Sequence, residues 1–261
     1  MSFQRLAITW FGHSTFLIRT PGGQRVLFDP WFGNPTSPRA PADLARCDVM
    51  LVSHGHFDHL GSEPRHVSEA NALTIARRLK PVWPCIHELS LWLETELEGS
   101  GVEIVGMNKG GTVEAHGVSV SMVHADHSAG DWPALGPMAG RSGVGSGPLY
   151  LGEPVGFVLG LEDGKRVYFA GDTDLFGDMS IIRYLYTPDV AFLPIGGHFT
   201  MGPVGAARAA QLLGVKAVVP IHYGTFPILT GTPDALRSEL ARIGAAIEVI
   251  APERGVETAL Y

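Results

Sequence analysis

Cysteine is nearly absent from this 261-residue chain, which has only Cys47 and Cys85, each standing alone. Isolated cysteines exclude a Cys-rich structural zinc site and a disulfide framework, and they agree with a reducing compartment. Cys47 precedes an apolar run and Cys85 lies inside one, so both read as small core residues. Basic charge is scarce as well. Nineteen Lys and Arg against 26 Asp and Glu leave a formal net charge of −7, without a dense Lys/Arg cluster. Such a chain has little to offer a nucleic acid. Apolar residues make up 45% and charged residues 17%, the balance of a soluble globular protein, yet no apolar run approaches a transmembrane span. The N-terminus lacks a basic segment followed by an apolar one and reads as a first strand, so a cytoplasmic location is expected. The H-E-x-x-H motif of helical zinc proteases is missing too.

What the chain does have is histidine, concentrated in one place. Residues 53–61 read Ser-His-Gly-His-Phe-Asp-His-Leu-Gly, with four potential ligands, His54, His56, Asp58 and His59, in six positions. A solvated polar turn would not gather three imidazoles and a carboxylate so tightly, and the spacing points to metal. The apolar residues 48–52 before the run read as a buried strand, and Ser62-Glu63-Pro64 after it reads as a helix N-cap and first turn. The ligands are therefore expected on a loop at a strand's C-terminal end. In an extended loop His54 and His56 project to one side, whereas the adjacent Asp58 and His59 diverge and reach further along the chain. One run can thus serve two neighbouring ions.

The run resembles the signature of the metallo-β-lactamase fold superfamily, whose members use further ligands along the chain. Three later segments fit that pattern: His127 in His-Ala-Asp-His-Ser-Ala-Gly, Asp172 in Phe-Ala-Gly-Asp-Thr-Asp, and His222 in Val-Val-Pro-Ile-His-Tyr-Gly. Each follows an apolar strand-like run, at 118–123, 167–170 and 217–221. More narrowly, Phe11-Gly-His-Ser-Thr15, Leu27-Phe-Asp-Pro30, Leu193-Pro-Ile-Gly196 and Pro220-Ile-His-Tyr-Gly-Thr-Phe-Pro227 resemble a cytoplasmic branch of metal-dependent hydrolases. That branch is related to L-ascorbate-6-phosphate lactonase and to the phospholipase D that cleaves N-acyl phosphatidylethanolamines. The long Gly-rich stretch 130–153 departs from its pattern. The resemblance implies that His54, His56 and His127 hold one metal, that Asp58, His59 and His222 hold a second, and that Asp172 bridges them. His124 is the rival to His127. Alternation along 118–124 puts it on the face of Val118, Val120 and Met122, where a packed imidazole is expected, while His127 resembles the family's ligand.

A His-rich, thiolate-free set suits two zinc ions, and imidazole also accepts manganese, iron and nickel. His rather than Glu at position 56 speaks against the di-iron redox relatives of that superfamily, and a two-iron redox enzyme is a further rival that metal analysis separates. Two divalent cations outweigh Asp58, Asp172 and a bridging hydroxide, so this acidic protein is expected to carry an anion-attracting pocket. Metal-bound water is acidified to a pKa of about 7. The expected reaction is hydrolysis, by a metal-bridging hydroxide, of a small or lipid-like anionic ester: a phosphodiester or a phosphorylated lactone. Asp58 is a candidate proton acceptor. His13 and His198 could each protonate the leaving group or hold a substrate anion, or could be turn histidines bonded to backbone. Asp29 reads either as a partner for a ligand imidazole or as an ordinary strand-end Asp before proline. Trp31 and Phe32 read as pocket wall or as core, and His66, His87 and His116 as surface residues. The alternatives are a thioester hydrolase, although no late Lys, Arg and Tyr cluster suits glutathione, and a non-catalytic metal-binding protein, although all seven ligand positions are filled. An exported β-lactamase would ordinarily need a signal.

Strands are expected at 6–10, 16–19, 25–28, 49–52, 102–107, 118–123, 155–161, 166–170, 190–193, 217–221 and 247–250. Helices are expected at 65–79, 88–97, 178–185, 204–213 and 233–243, and 161–166 reads as a hairpin turn. Each half runs from a meander to strands interleaved with helices. That order suits an α/β fold of two mixed sheets with helices on the outer faces, the four-layer αββα sandwich the resemblance implies, in a single domain over 1–261. The stretch 130–153, with Trp132, Leu135, Met138, Leu149 and Tyr150, reads as a mobile lid, or as a surface loop or subunit contact. A homo-oligomer is compatible with the latter.

Overall fold

The computed structural model describes residues 5–62, 69–131 and 149–260. Its two halves repeat one plan. In the first, β1 (Ala7–Trp10), β2 (Phe16–Arg19) and β3 (Arg25–Phe28) form an antiparallel meander. The same sheet then continues in parallel through β4 (Val49–Leu51), β5 (Val82–Ile86) and β6 (Glu103–Met107). Their connections carry α1 (Phe57–Leu60), α2 (Asn71–Leu79) and α3 (His87–Glu96). In the second half, β7 (Thr112–Ala115), β8 (Val118–His124), β11 (Val155–Gly160) and β12 (Arg166–Phe169) pair antiparallel, and β9 (Gly130–Asp131) and β10 (Leu149–Tyr150) make a separate short ribbon. After α4 (Met179–Tyr186) the second sheet turns parallel through β13 (Val190–Pro194), β14 (Ala217–Ile221) and β15 (Glu248–Val249). The connecting helices are α5 (Pro203–Leu213) and α6 (Pro233–Arg242), and β16 (Glu257–Ala259) returns to the first sheet beside β1.

The parallel strands β4, β13 and β14 are buried at every position, as strands covered on both faces must be. The sheets meet through aromatic contacts: Phe28 stacks on Phe169 at 4.2 Å and Phe16 meets Phe192 edge-on at 5.0 Å. Behind the second sheet, Ala206, Ala207, Ala209 and Ala210 of α5 pack with Met179 and Ile182 of α4 and Leu236 and Leu240 of α6. Small side chains there let α5 lie close against the strands. The αββα sandwich is thus formed, with the 161–166 hairpin closed by Leu161 N donating to Lys165 O. Among the described residues, no helix is long and apolar enough to cross a membrane.

Five strands were not expected, β5, β7 and β16 of the two main sheets and β9 and β10 of the short ribbon. β5 contains Pro84, which argues against a central strand, but it joins β4 only at Val49 and Val82, so that ladder has ended before the proline. β7 and β16 are short and half exposed, and their pairing comes from the neighbouring strand rather than from a hydrophobic pattern. The expected helix from 65 is described from Asn71 onward. His66, Trp132, Leu135 and Met138 lie outside the described residues. Of the stretch 130–153, Leu149 packs against the core and Tyr150 is exposed. His87 and His116 are exposed, and both cysteines are free and buried.

Candidate metal centre

The predicted ligands all leave strands at one edge of the sandwich: the histidine run after β4, His127 after β8, Asp172 after β12 and His222 directly after β14. Close packing dictates part of the run. A Cβ on Gly55 would stand 2.8 Å from Cβ of Leu151, so the residue between His54 and His56 must be glycine for the chain to pass. Before Asp172, Gly171 has φ +63°, and a Cβ there would meet Cβ of Ser53 at 2.6 Å. The run itself differs from the expected extended loop. His56 is its last extended residue, Phe57–Leu60 forms a helical turn, and Gly61 closes it in the left-handed region at φ 82°. The turn, not extended chain, separates Asp58 and His59 from His54 and His56.

The donor atoms fall into three overlapping groups, each within 4.8 Å: His54, His56 and His127; Asp58, His59, His222 and His13; and His54, His59 and Asp172. Nε2 of His54 lies 2.9 Å from Nδ1 of His56. Asp172 faces both sides, with Oδ2 3.0 Å from His222 Nε2 and 3.6 Å from His127 Nε2, and Oδ1 3.3 Å from His59 Nε2. Asp58 Oδ2 is 3.8 Å from His222 Nε2.

Behind these donors stands a second set of polar residues. Asp29 Oδ1 accepts from Ser53 N at 2.7 Å, and its Oδ2 accepts from Ser53 Oγ at 2.8 Å and lies 2.7 Å from His59 Nδ1. Ser53 Oγ also lies 3.0 Å from His54 Nδ1. Asp29 is therefore an imidazole partner. His13 is fully buried, with Nε2 3.1 Å from Asp58 Oδ2 and Nδ1 2.9 Å from Thr225 Oγ1. Its carbonyl accepts from Trp10 Nε1 and from His222 N. His13, Asp29 and His222 have φ of 51°, 41° and 55°, a left-handed conformation that costs a non-glycine residue about 1–3 kcal/mol. Three such residues at one site mark where packing overrides backbone preference.

Burial, reinforced by His59 and His56, lowers the His54 pKa well below its usual value. Burial and then His222 lower His13 to about 4, and burial lowers His127. For His59 burial works the same way but Asp172, Asp29 and Asp58 outweigh it, raising the pKa well above normal. His222 is raised to about 9 against burial, chiefly by Asp172. Burial would raise Asp58 and Asp172, yet His59 and His222 hold both carboxyls well below their usual range. The site thus offers ionised carboxylates and a neutral His54, as a cation requires, whereas His59 and His222 must give up protons to bind one. His59 Nε2 and Asp172 Oδ1 face each other at 3.3 Å, buried and without a well-formed hydrogen bond, an arrangement that costs free energy. A divalent ion between them would remove that cost, and the imidazole–carboxylate set fits one.

Not every candidate joins the cluster. His198 is exposed at φ 61°, its ring 4.5 Å from Phe199, and it belongs to none of the three groups. Its loop is tied to the site by Met201 N donating to Thr173 O. His124 is exposed and edge-on to Phe176, not packed in the core; the β8 ladder ends at its pairing with Val155, where the cover of that face runs out. Trp31 is beside the site, 5.1 Å from His13, whereas Phe32 packs on Phe11 in the core. Ser53 and Thr225 escaped the sequence reading. Ser53 could have been found beside the histidine run, but Thr225 lies 212 positions from the imidazole it holds.

The Beta-lactamase superfamily domain matches residues 24–223. A UPF0173 metal-dependent hydrolase of Myxococcus xanthus is 44% identical over 253 residues, spanning 97% of this chain and 83% of its own. Another, of Koribacter versatilis, is 44% identical over 238 residues, with 90% and 92% covered. Among solved structures, the metallo hydrolase Igni18 of Ignicoccus hospitalis aligns over 99% of both chains with a TM-score of 0.80 and 32% identity. Identity of this extent is kinship rather than shared fold alone: the chain belongs to the metallo-β-lactamase superfamily and is a metal-dependent hydrolase akin to the UPF0173 proteins.

Proposed function

We propose that this hydrolase works with two divalent cations, zinc in the first instance, and cleaves a small or lipid-like anionic ester, a phosphodiester or a phosphorylated lactone. The observation that carries the reading is Asp172, whose carboxylate faces His59 and His222 of one donor set and His127 of the other. In this reading His54, His56 and His127 hold one ion, Asp58, His59 and His222 the other, and Asp172 both. Such ions supply positive charge that polarises a scissile carbonyl or phosphoryl bond and lowers the pKa of water. The chain's own residues do the rest. Asp58 has one oxygen held by His13 and accepts the proton released in hydrolysis. Both nitrogens of His13 are engaged and its side chain is buried, so it acts through Asp58 rather than on substrate. His198, exposed on a loop tied to Thr173, meets the leaving group or a substrate anion.

The test loads the purified chain with zinc or manganese, counts metal per chain, and compares an aryl phosphodiester with a phosphorylated sugar lactone. Turnover of either, with two metals bound, supports the reading and selects between its branches. Binding of a single metal overturns the binuclear part. Two bound metals with neither substrate turned over overturns the ester part and leaves thioester hydrolysis or a non-catalytic role. A His198→Ala variant with unchanged kcat/KM removes His198 from the site.

A further inference from the structure

We infer that the substrate carries an apolar arm, aryl or alkyl, beside its scissile group, and that Phe57, Trp31 and Phe226 form the shelf on which this arm lies. The inference rests on the hydrolase reading above and deepens it by naming the part of the substrate that the metal ligands do not address. Phe57 stands in α1 between His56 and Asp58, so the shelf begins within the ligand run. Its ring is edge-on to Trp31 at 5.6 Å, and Trp31 lies 5.8 Å from Phe226. Trp31 and Phe226 both meet the His13 ring edge-on, at 5.1 and 5.9 Å, and His13 in turn holds Asp58. The aromatic surface is therefore continuous with a proposed ligand. Trp31 is 5% exposed and forms the floor, while Phe57 and Phe226 are only half-buried and leave ring surface open.

Two further apolar side chains stand outside, Phe199 at 55% exposure and Ile228 at 46%. They sit on the loops that follow β13 and β14. Gly231 N donates to Gly196 O, joining the two loops, and Met201 N donates to Thr173 O, joining the first to the residue after Asp172. Single exposed apolar residues are ordinary on a protein surface, but an aromatic surface that starts at a ligand carboxylate, with apolar loops anchored beside it, is not. The ring nitrogens of His13 beside it are also spent. Both His13 nitrogens are taken, by Thr225 and Asp58, so neither remains for a sugar hydroxyl. Stacking and apolar contact are what the shelf offers.

The experiment measures binding, by calorimetry, of n-alkylphosphonic acids from methyl to octyl and of phenylphosphonic acid to the zinc-loaded full chain. A fully buried methylene contributes about a fourfold factor in affinity, so the half-open shelf should bind the butyl compound about tenfold tighter than the methyl. Phenylphosphonate should likewise bind more tightly than methylphosphonate. Phe226→Ser and Phe57→Ser should bring the butyl-to-methyl ratio towards one. Phe226→Leu, which keeps an apolar side chain, should retain the alkyl dependence and lose the phenyl preference. Affinity that does not rise with chain length in the unaltered protein, absence of binding included, overturns the inference. Chain-length-dependent binding without turnover of either a phosphodiester or a phosphorylated lactone keeps the shelf and removes the ester hydrolase reading, whereas turnover with a flat binding series does the reverse.

Discussion

Oδ2 of Asp29 lies 2.7 Å from Nδ1 of His59, and both side chains are wholly buried. Ser53 carries the same carboxylate's influence on to His54, so one buried acid orients a histidine from each of two donor groups. An acceptor behind Nδ1 sets the tautomer and aims Nε2 forward.

Asp29→Asn should weaken metal binding by about 10–100-fold, the usual cost of losing such a partner, as read by competition with a chromophoric chelator. Asp29→Ala, which removes one of the buried carboxylates that offset His59 and leaves its Nδ1 without that acceptor, should also destabilise the metal-free protein by about 1–3 kcal/mol in urea. Wild-type metal affinity in both variants would contradict the role.

Asp172→Ala should lower metal occupancy and thermal stability together, because it removes the carboxylate that faces His59, His127 and His222. Elemental analysis after gel filtration, with a melting curve, checks this. Two metals retained per chain would refute the bridging assignment.

The pH dependence follows from His222, whose pKa in the folded chain is raised from 6.5 to about 9. A raised folded pKa stabilises fully below the unfolded value and is lost as pH rises through the folded one. The Tm of chelator-treated protein should therefore fall as pH is raised from 6.5 past 9. Protons on His59 and His222 compete with metal, so zinc affinity should rise over the same window. A Tm of the chelator-treated protein independent of pH across it would contradict the shift.

Gly55→Ala should cost about 1–3 kcal/mol, because its Cβ would be driven against Leu151. Leu151→Ala in the same chain should recover part of the loss, a coupling that a double-mutant cycle in urea measures.

The thiols should be inert. Burial, then Asp48, pushes the Cys47 pKa up to about 12, and burial raises Cys85 further. A disulfide reagent at pH 8 should find no thiol in the native protein and two once it is unfolded.

Much of this was legible before any coordinates. Strands such as β2, β3 and β14 are short apolar runs bounded by turn residues, and their pattern is local. The hairpin at 161–166 is carried by adjacent residues, and the histidine run packs its donors so densely that chemistry alone identifies it. Less was legible where partners are distant. β16 finds β1 across almost the whole chain, and Pro84 conceals β5 because a sequence does not reveal on which side a ladder ends.

By itself, the sequence determined most of the strands and the donor-dense run 54–59, since hydrophobic period and residue spacing are properties of neighbouring residues. The sandwich and the candidates His127, Asp172 and His222 followed from a family resemblance. Only the tertiary structure decided that Asp29 backs His59, that His13 lies behind Asp58 on the hydroxyl of Thr225, that His198 stays exposed and that His124 leaves the core. It alone placed Trp31 against Phe57 and Phe226. The reason is physical: burial and hydrogen-bond partnership depend on which strand ends converge, and convergence is set by long-range packing that no local pattern encodes.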